Sequence, residues 1–303
     1  MKSVLDTSGF RLLSMLVFLA CFIAYARCPS VSWPAFSSVD LFPVALVIAL
    51  VPLNLLAEAK KLHFKLQPTF TLQTCLAMVC KGFALDLFMP LGSGTYLGRA
   101  WMQKGGSRAG ILELTAIGSL AQNLCNLFFG LLLVWCLLPP GLDLLSGETI
   151  LPAVISLLLS FAILLSWLLF RKSGVPESWK KWLKTGNCLT IMEVLEICKY
   201  AALRYSLYLL QYVLLLSLFP EVGGWTAAVW AGTYLMLASL IPLPGFLSVY
   251  GRMAISVWVF HLAGLSAAEA LSVSGFIFLL NALFPAMFGF YLLLHESIRQ
   301  VKC

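Results

Sequence analysis

Residues 88–99, Phe-Met-Pro-Leu-Gly-Ser-Gly-Thr-Tyr-Leu-Gly-Arg, put helix breakers and a fixed positive charge into an apolar run otherwise fit for a membrane. Pro90 has no amide hydrogen to donate, and Gly92, Gly94 and Gly98 favour turns, so a helix arriving through residues 83–89 is expected to stop near Pro90. Broken backbone at membrane depth persists only where it packs on protein or lines a watery cavity. The chain is thereby limited to folds that keep this stretch from lipid. The cadence recurs half a chain later in residues 241–252, Ile-Pro-Leu-Pro-Gly-Phe-Leu-Ser-Val-Tyr-Gly-Arg. In both copies a hydroxyl residue stands four places before an arginine, Thr95 before Arg99 and Ser248 before Arg252, with glycine just ahead of the arginine. Paired Gly/Pro-interrupted segments at matching places in two halves point to a binding site between repeats.

Across 303 residues the chain is 61% hydrophobic and 11% charged, which excludes an ordinary soluble domain and implies a polytopic helical membrane protein. The longest polar segment, 171–199, reads as a loop or interfacial helix, too short for a separate domain. The nine cysteines lie mostly in apolar runs without metal-type spacing and read as small core hydrophobes. There is no Ser-His-Asp arrangement, nucleotide loop or helical His pair to support an enzyme, so neither a cofactor nor a nucleic-acid partner is expected.

The net charge of +7 matters through where Lys and Arg fall relative to the spans. Residues 12–26 read as a signal anchor and 41–57 as a second span, its basic end marked by Lys60, Lys61 and Lys65. Asn54 and Glu58, four apart, share a helix face near that end. A hairpin over about 70–103 dips in and returns, since Arg99, Lys104 and Arg108 make its far end basic too. Residues 111–138 cross outward with Gln122, Asn123 and Asn126, the loop 139–149 is acidic, and 151–170 returns to the basic loop 171–184. Residues 201–219 cross outward with Arg204 and Gln211, a second hairpin spans about 225–262, an acidic patch follows at 266–269, and 271–294 crosses inward. The expected fold is an all-α polytopic membrane protein of two inverted repeats, 1–150 and 151–303, each with three spans plus a re-entrant hairpin, and with both termini cytoplasmic. A plain bundle of eight to ten helices with proline kinks is the alternative.

A guanidinium inside a membrane costs roughly 3 kcal/mol or more unless it is paired or snorkels. Its planar fork matches phosphate and keeps its charge. Arg99 and Arg252, beside glycine turns at Gly94 and Gly98 and hydroxyls at Thr95 and Ser248, suit a lipid phosphate held at mid-depth. Against this stands the reading that Arg99 simply caps a helix near the surface, and Arg204 is as well placed to snorkel as to touch substrate. Lys81 and Asp86 read as a structural pair, and Gln122 with Asn126 as polar glue between helices.

The order of these segments resembles the lysylphosphatidylglycerol synthase transmembrane-region family, a flippase-like family. Carrying the likeness over nearly the whole chain are Asn54-Leu-Leu-Ala-Glu58-Ala-Lys-Lys, residues 82–99, Gly118-Ser-Leu-Ala-Gln122, Leu203-Arg204-Tyr205 and residues 241–252. Where family loops typically read Pro-x-x-x-Gly-Glu-x-x-x-Arg and Glu-x-x-x-Arg, this chain keeps both arginines and has Thr95 and Ser248 at the acidic positions. The resemblance implies transport of a phospholipid or polyprenyl-phosphate-type lipid between leaflets of a bacterial inner membrane. Arg99, Arg252, Thr95, Ser248, Gly94, Gly98, Asn54, Glu58, Gln122 and Arg204 would form the binding site. The family's soluble synthase domain has no counterpart here, so lipid aminoacylation is not implied. A membrane lipid with an anionic head group is the expected partner, and a second copy of the chain or a cytoplasmic enzyme are further candidates. The competing reading is a non-transporting scaffold that docks a lipid-modifying or glycosyltransferase enzyme through the basic segment 171–199.

Overall fold

A computed structural model of the chain describes residues 41–67, 69–87, 89, 93–100, 108–137, 190–240 and 247–301. The expected anchor at 12–26, the breaks at Pro90 and 242–245, Lys104, the acidic loop 139–149, the span 151–170 and the basic loop 171–184 lie outside the described residues. In chain order the helices are α1 (Leu41–Leu66), α2 (Leu72–Asp86), α3 (Ser93–Ala100), α4 (Arg108–Leu137), α5 (Ile191–Leu216), α6 (Gly224–Leu240), α7 (Leu247–Leu262), α8 (Ala267–Phe278) and α9 (Phe284–Val301). A π-helical turn over Leu279–Leu283 joins α8 to α9, and no strand is present among the described residues. Among the described residues, three stretches are long and apolar enough to cross a membrane, Leu41–Leu66, Gly110–Val134 and Ala267–His295. Only 28–33% of each is buried against the protein, so the remaining apolar surface suits lipid. The protein is all-helical, with the length and composition of a membrane protein.

Three element boundaries differ from the sequence expectation, each for a local reason. Helix α1 continues to Leu66 instead of stopping at residue 57, which carries Glu58 and Lys61 inside the helix and buries both. Lys61 is therefore not a solvent-facing marker of a membrane end. Helix α5 begins at Ile191, within the stretch read as a polar loop, because Thr190 and Glu193 form a reciprocal capping box that satisfies two amides of the first turn. The patch 266–269 likewise starts α8, with Ser266 and Glu269 capping one another. Helix α2 ends at Asp86 with Leu87 as its cap, in keeping with the expected stop before Pro90.

Close approaches at glycine fix the packing. A Cβ on Gly94 would lie 2.2 Å from the Asp86 nitrogen, and one on Gly98 would lie 2.5 Å from the Lys81 oxygen. This ladder of contacts means α3 folds back antiparallel on α2, at a distance that only glycine allows. Helices α1 and α5 also run antiparallel, tied by Gln211 to the Val47 carbonyl at one end and by Lys65 to Glu193 at the other. At 1.5 Å per residue, the stretch from Val47 to Lys65 is about 27 Å long, close to the thickness of a hydrocarbon core. Helix α2 packs on α9, where a Cβ on Gly289 would meet the Cys80 oxygen at 2.0 Å. Reciprocally, α6 packs on α4, with a Cβ on Gly130 3.0 Å from the Gly232 oxygen. Small residues at helix crossings are how membrane helices gain close van der Waals contact. Two apolar cores result, one around Val47, Tyr212, Trp230 and Phe260, the other around Leu62, Val79, Ile117 and Ile197. Along both α1 and α5, the polar residues Asn54, Glu58 and Arg204 fall between them.

Candidate functional site

Glu58 on α1 is the centre of the site. Its Oε1 accepts from Arg99 Nη2 of α3 at 2.6 Å, and its Oε2 accepts from Arg204 Nη1 of α5 at 2.6 Å. Lys61 Nζ, one turn on, reaches the same Oε2 at 2.5 Å. The Glu58, Lys61 and Arg99 side chains are only 4–6% exposed, and Arg204 is 14% exposed. Short charge-assisted bonds of this kind are among the stronger polar contacts available to a protein. Arg99 reaches Glu58 by lying across Gly82, where an added Cβ would be 3.5 Å from its Cγ and Nε. The Arg204 guanidinium also faces the Phe83 and Tyr208 rings, 5.9 and 5.5 Å from their centroids. Position 95, one turn before Arg99, is a threonine, and Glu58 supplies the charge from another helix.

A chain of amides leads away from this cluster. Arg204 Nε donates to Asn54 Oδ1 at 3.0 Å, Asn54 Nδ2 to Asn281 Oδ1 at 2.7 Å, Asn281 Nδ2 to Gln211 Oε1 at 3.0 Å, and Gln211 Nε2 to the Val47 carbonyl at 3.1 Å. An arginine has no acceptor, so Arg204 dictates that Asn54 presents its oxygen, and each later amide must then point the same way. Asn281 sits in the middle of the π-helical turn. Pro285 cannot donate to the Asn281 carbonyl, and the amide of Phe284 closes on Leu279 instead, so the ladder loosens where Asn281 turns inward to bond Asn54 and Gln211.

The sequence-predicted residues therefore divide. Asn54, Glu58, Arg99 and Arg204 meet in one buried cluster. Gly94 and Gly98 shape the α2–α3 contact. Thr95 donates its amide to Asp86 Oδ1 at 3.3 Å, and its side chain bonds Asp86 as well. Gln122 donates to Asn126 Oδ1 at 3.2 Å and to the Ala201 carbonyl at 3.3 Å, binding α4 to α5 as polar glue. Arg252 is exposed on α7, with no ion pair among the described residues, although its field reaches Asp86, Tyr212 and Tyr234. The Ser248 side chain lies outside the described ones. Lys61, Gln211 and Asn281 belong to the network without having been singled out for it. Lys61 stands three residues after Glu58, and Asn281 is the sole amide side chain in the apolar run 271–294. No protein-family model, curated protein or solved structure matches the chain.

Proposed function

We propose that this protein moves a lipid with an anionic phosphate head group between the leaflets of a bacterial cytoplasmic membrane, as a relative of the lysylphosphatidylglycerol synthase transmembrane-region family. One observation carries the reading: a buried oxyanion, the Glu58 carboxylate on α1, a helix long and apolar enough to cross a membrane, is held by Arg99, Arg204 and Lys61. Groups that bind carboxylate in this way also bind phosphate oxygens. Glu58 keeps the cations from standing desolvated and unpaired while the site is empty, and an incoming phosphate joins it on the donors that one carboxylate cannot satisfy. In this account Arg252 lies on the approach to the site, outside the inner cluster.

The exchange of packing between halves supports the inverted-repeat reading. Helix α1 pairs with α5, α2 lies on α9, and α6 lies on α4, so each hairpin leg is cradled by the last long helix of the other half. Helices α2–α3 and α6–α7 are then the re-entrant hairpins of repeats 1–150 and 151–303, and rocking of one repeat on the other switches access to the site. With both termini cytoplasmic, the two hairpins enter from opposite faces. Reconstitution into liposomes with a fluorescent anionic phospholipid tests the proposal. The wild type should exchange the lipid between leaflets, and Arg99→Gln with Arg204→Gln should abolish that exchange. A folded wild-type protein that moves no more lipid than empty liposomes would overturn transport and leave the scaffold reading.

A further inference from the structure

We infer that the inner site selects a lipid whose head group ends in a phosphate monoester or diphosphate, carrying about two or more negative charges, over a singly charged phosphodiester. This rests on the anion-site reading of the Glu58 cluster. The first argument is charge. Arg99, Arg204 and Lys61 bring three positive charges against the single negative charge of Glu58, a surplus of two. Asp86 lies in the fields of both Arg252 and Arg99, and counting Asp86 together with Arg252 adds one charge of each sign, which leaves the surplus unchanged. A desolvated surplus is costly, and a ligand with two negative charges cancels it where a diester leaves one charge over. A phosphate monoester carries about −1.5 to −2 at neutral pH.

The second argument is a count of oxygens. Glu58 has two, and Oε2 is shared between Arg204 and Lys61 while Oε1 takes Arg99 alone. Arg99 Nε, although buried, has no hydrogen-bond acceptor among the described residues. The site thus offers more donors than a carboxylate can satisfy. A phosphate monoester presents three terminal oxygens, one for each cation, whereas a diester presents two.

The test is native mass spectrometry of the full chain in detergent, with phosphatidic acid, phosphatidylglycerol and phosphatidylcholine titrated separately and glycerol 3-phosphate as a soluble competitor. Phosphatidic acid should bind about tenfold or more tighter than phosphatidylglycerol, as one additional charge contact in a partly buried site implies. Phosphatidylcholine should bind least, and millimolar glycerol 3-phosphate should not displace the lipid. Lys61→Gln, which removes the third donor, should reduce the preference for phosphatidic acid to less than about twofold while phosphatidylglycerol still binds. Equal affinity of the wild type for the two anionic lipids would overturn the selectivity and leave the anion site standing. Displacement by glycerol 3-phosphate would overturn the lipid as the source of the phosphate. Failure to bind either anionic lipid would overturn the underlying site itself.

Discussion

Arg99 and Arg252 close two segments of the same cadence, yet one guanidinium is 5% exposed and bound to Glu58 while the other stands on the open face of α7. What separates them lies across the gap. Helix α3 folds back on α2 at Gly94 and Gly98, which directs Arg99 over Gly82 to a carboxylate on α1. Helix α7 meets its neighbours through rings instead, Phe260 lying 5.4 Å from Tyr234 on α6 and 6.1 Å from Tyr212 on α5. The equivalent interior of the second segment is thus an aromatic core, and its arginine is left outside. A shared motif sets where an arginine falls on a helix, and the neighbouring helix decides whether it becomes part of a site.

The largest expected contrast follows from removing the shared carboxylate. Glu58→Gln leaves three buried cations without a counter-charge and should cost about 3–5 kcal/mol in stability, whereas Arg252→Gln should cost less than about 0.5 kcal/mol. Thermal unfolding in detergent reads both, and equal melting temperatures would break the contrast. Next comes the hairpin itself. Gly94→Ala drives a methyl into the α2 backbone and should cost about 3 kcal/mol, while Gly118→Ala, with nothing within 4 Å of its added Cβ, should gain up to about 1 kcal/mol. The amide chain should be worth somewhat less. Asn281→Leu strands the Asn54 amide and the Gln211 oxygen and should cost about 2 kcal/mol, and a double-mutant cycle with Gln211→Leu should show clear non-additivity. Smallest is the effect of placing an acid four residues ahead of each arginine. Ser248→Glu, four residues ahead of Arg252, should add about 0.3–0.5 kcal/mol through a new ion pair. Thr95→Glu instead sets a second carboxylate beside Asp86 and should lower stability by a similar amount, so the same substitution takes opposite signs in the two segments.

The all-helical membrane character was legible from the apolar runs, and the two broken segments were legible from their prolines and glycines. Asn54, Glu58, Arg99 and Arg204 could each be singled out because polar groups in apolar runs are conspicuous. Their convergence was not legible, because it depends on the antiparallel register of α1 with α5, which no short-range pattern encodes. Lys61 read as a membrane-end charge because spacing alone does not show that α1 continues to Leu66. The early starts of α5 and α8 came from capping boxes hidden in stretches that composition marks as polar loops. Asn281 depended on a π-helical turn, a departure from regular geometry that Pro285 hinted at without fixing its direction.

The account's central claim is that Arg204 and not Arg252 belongs with Arg99 in the anion site. Its most direct test is the affinity of each single variant for phosphatidic acid, measured by native mass spectrometry on protein shown to be folded. The account predicts that Arg204→Gln weakens binding by about tenfold or more, while Arg252→Gln stays within about twofold of the wild type. Loss of binding in Arg252→Gln with binding retained in Arg204→Gln would contradict it.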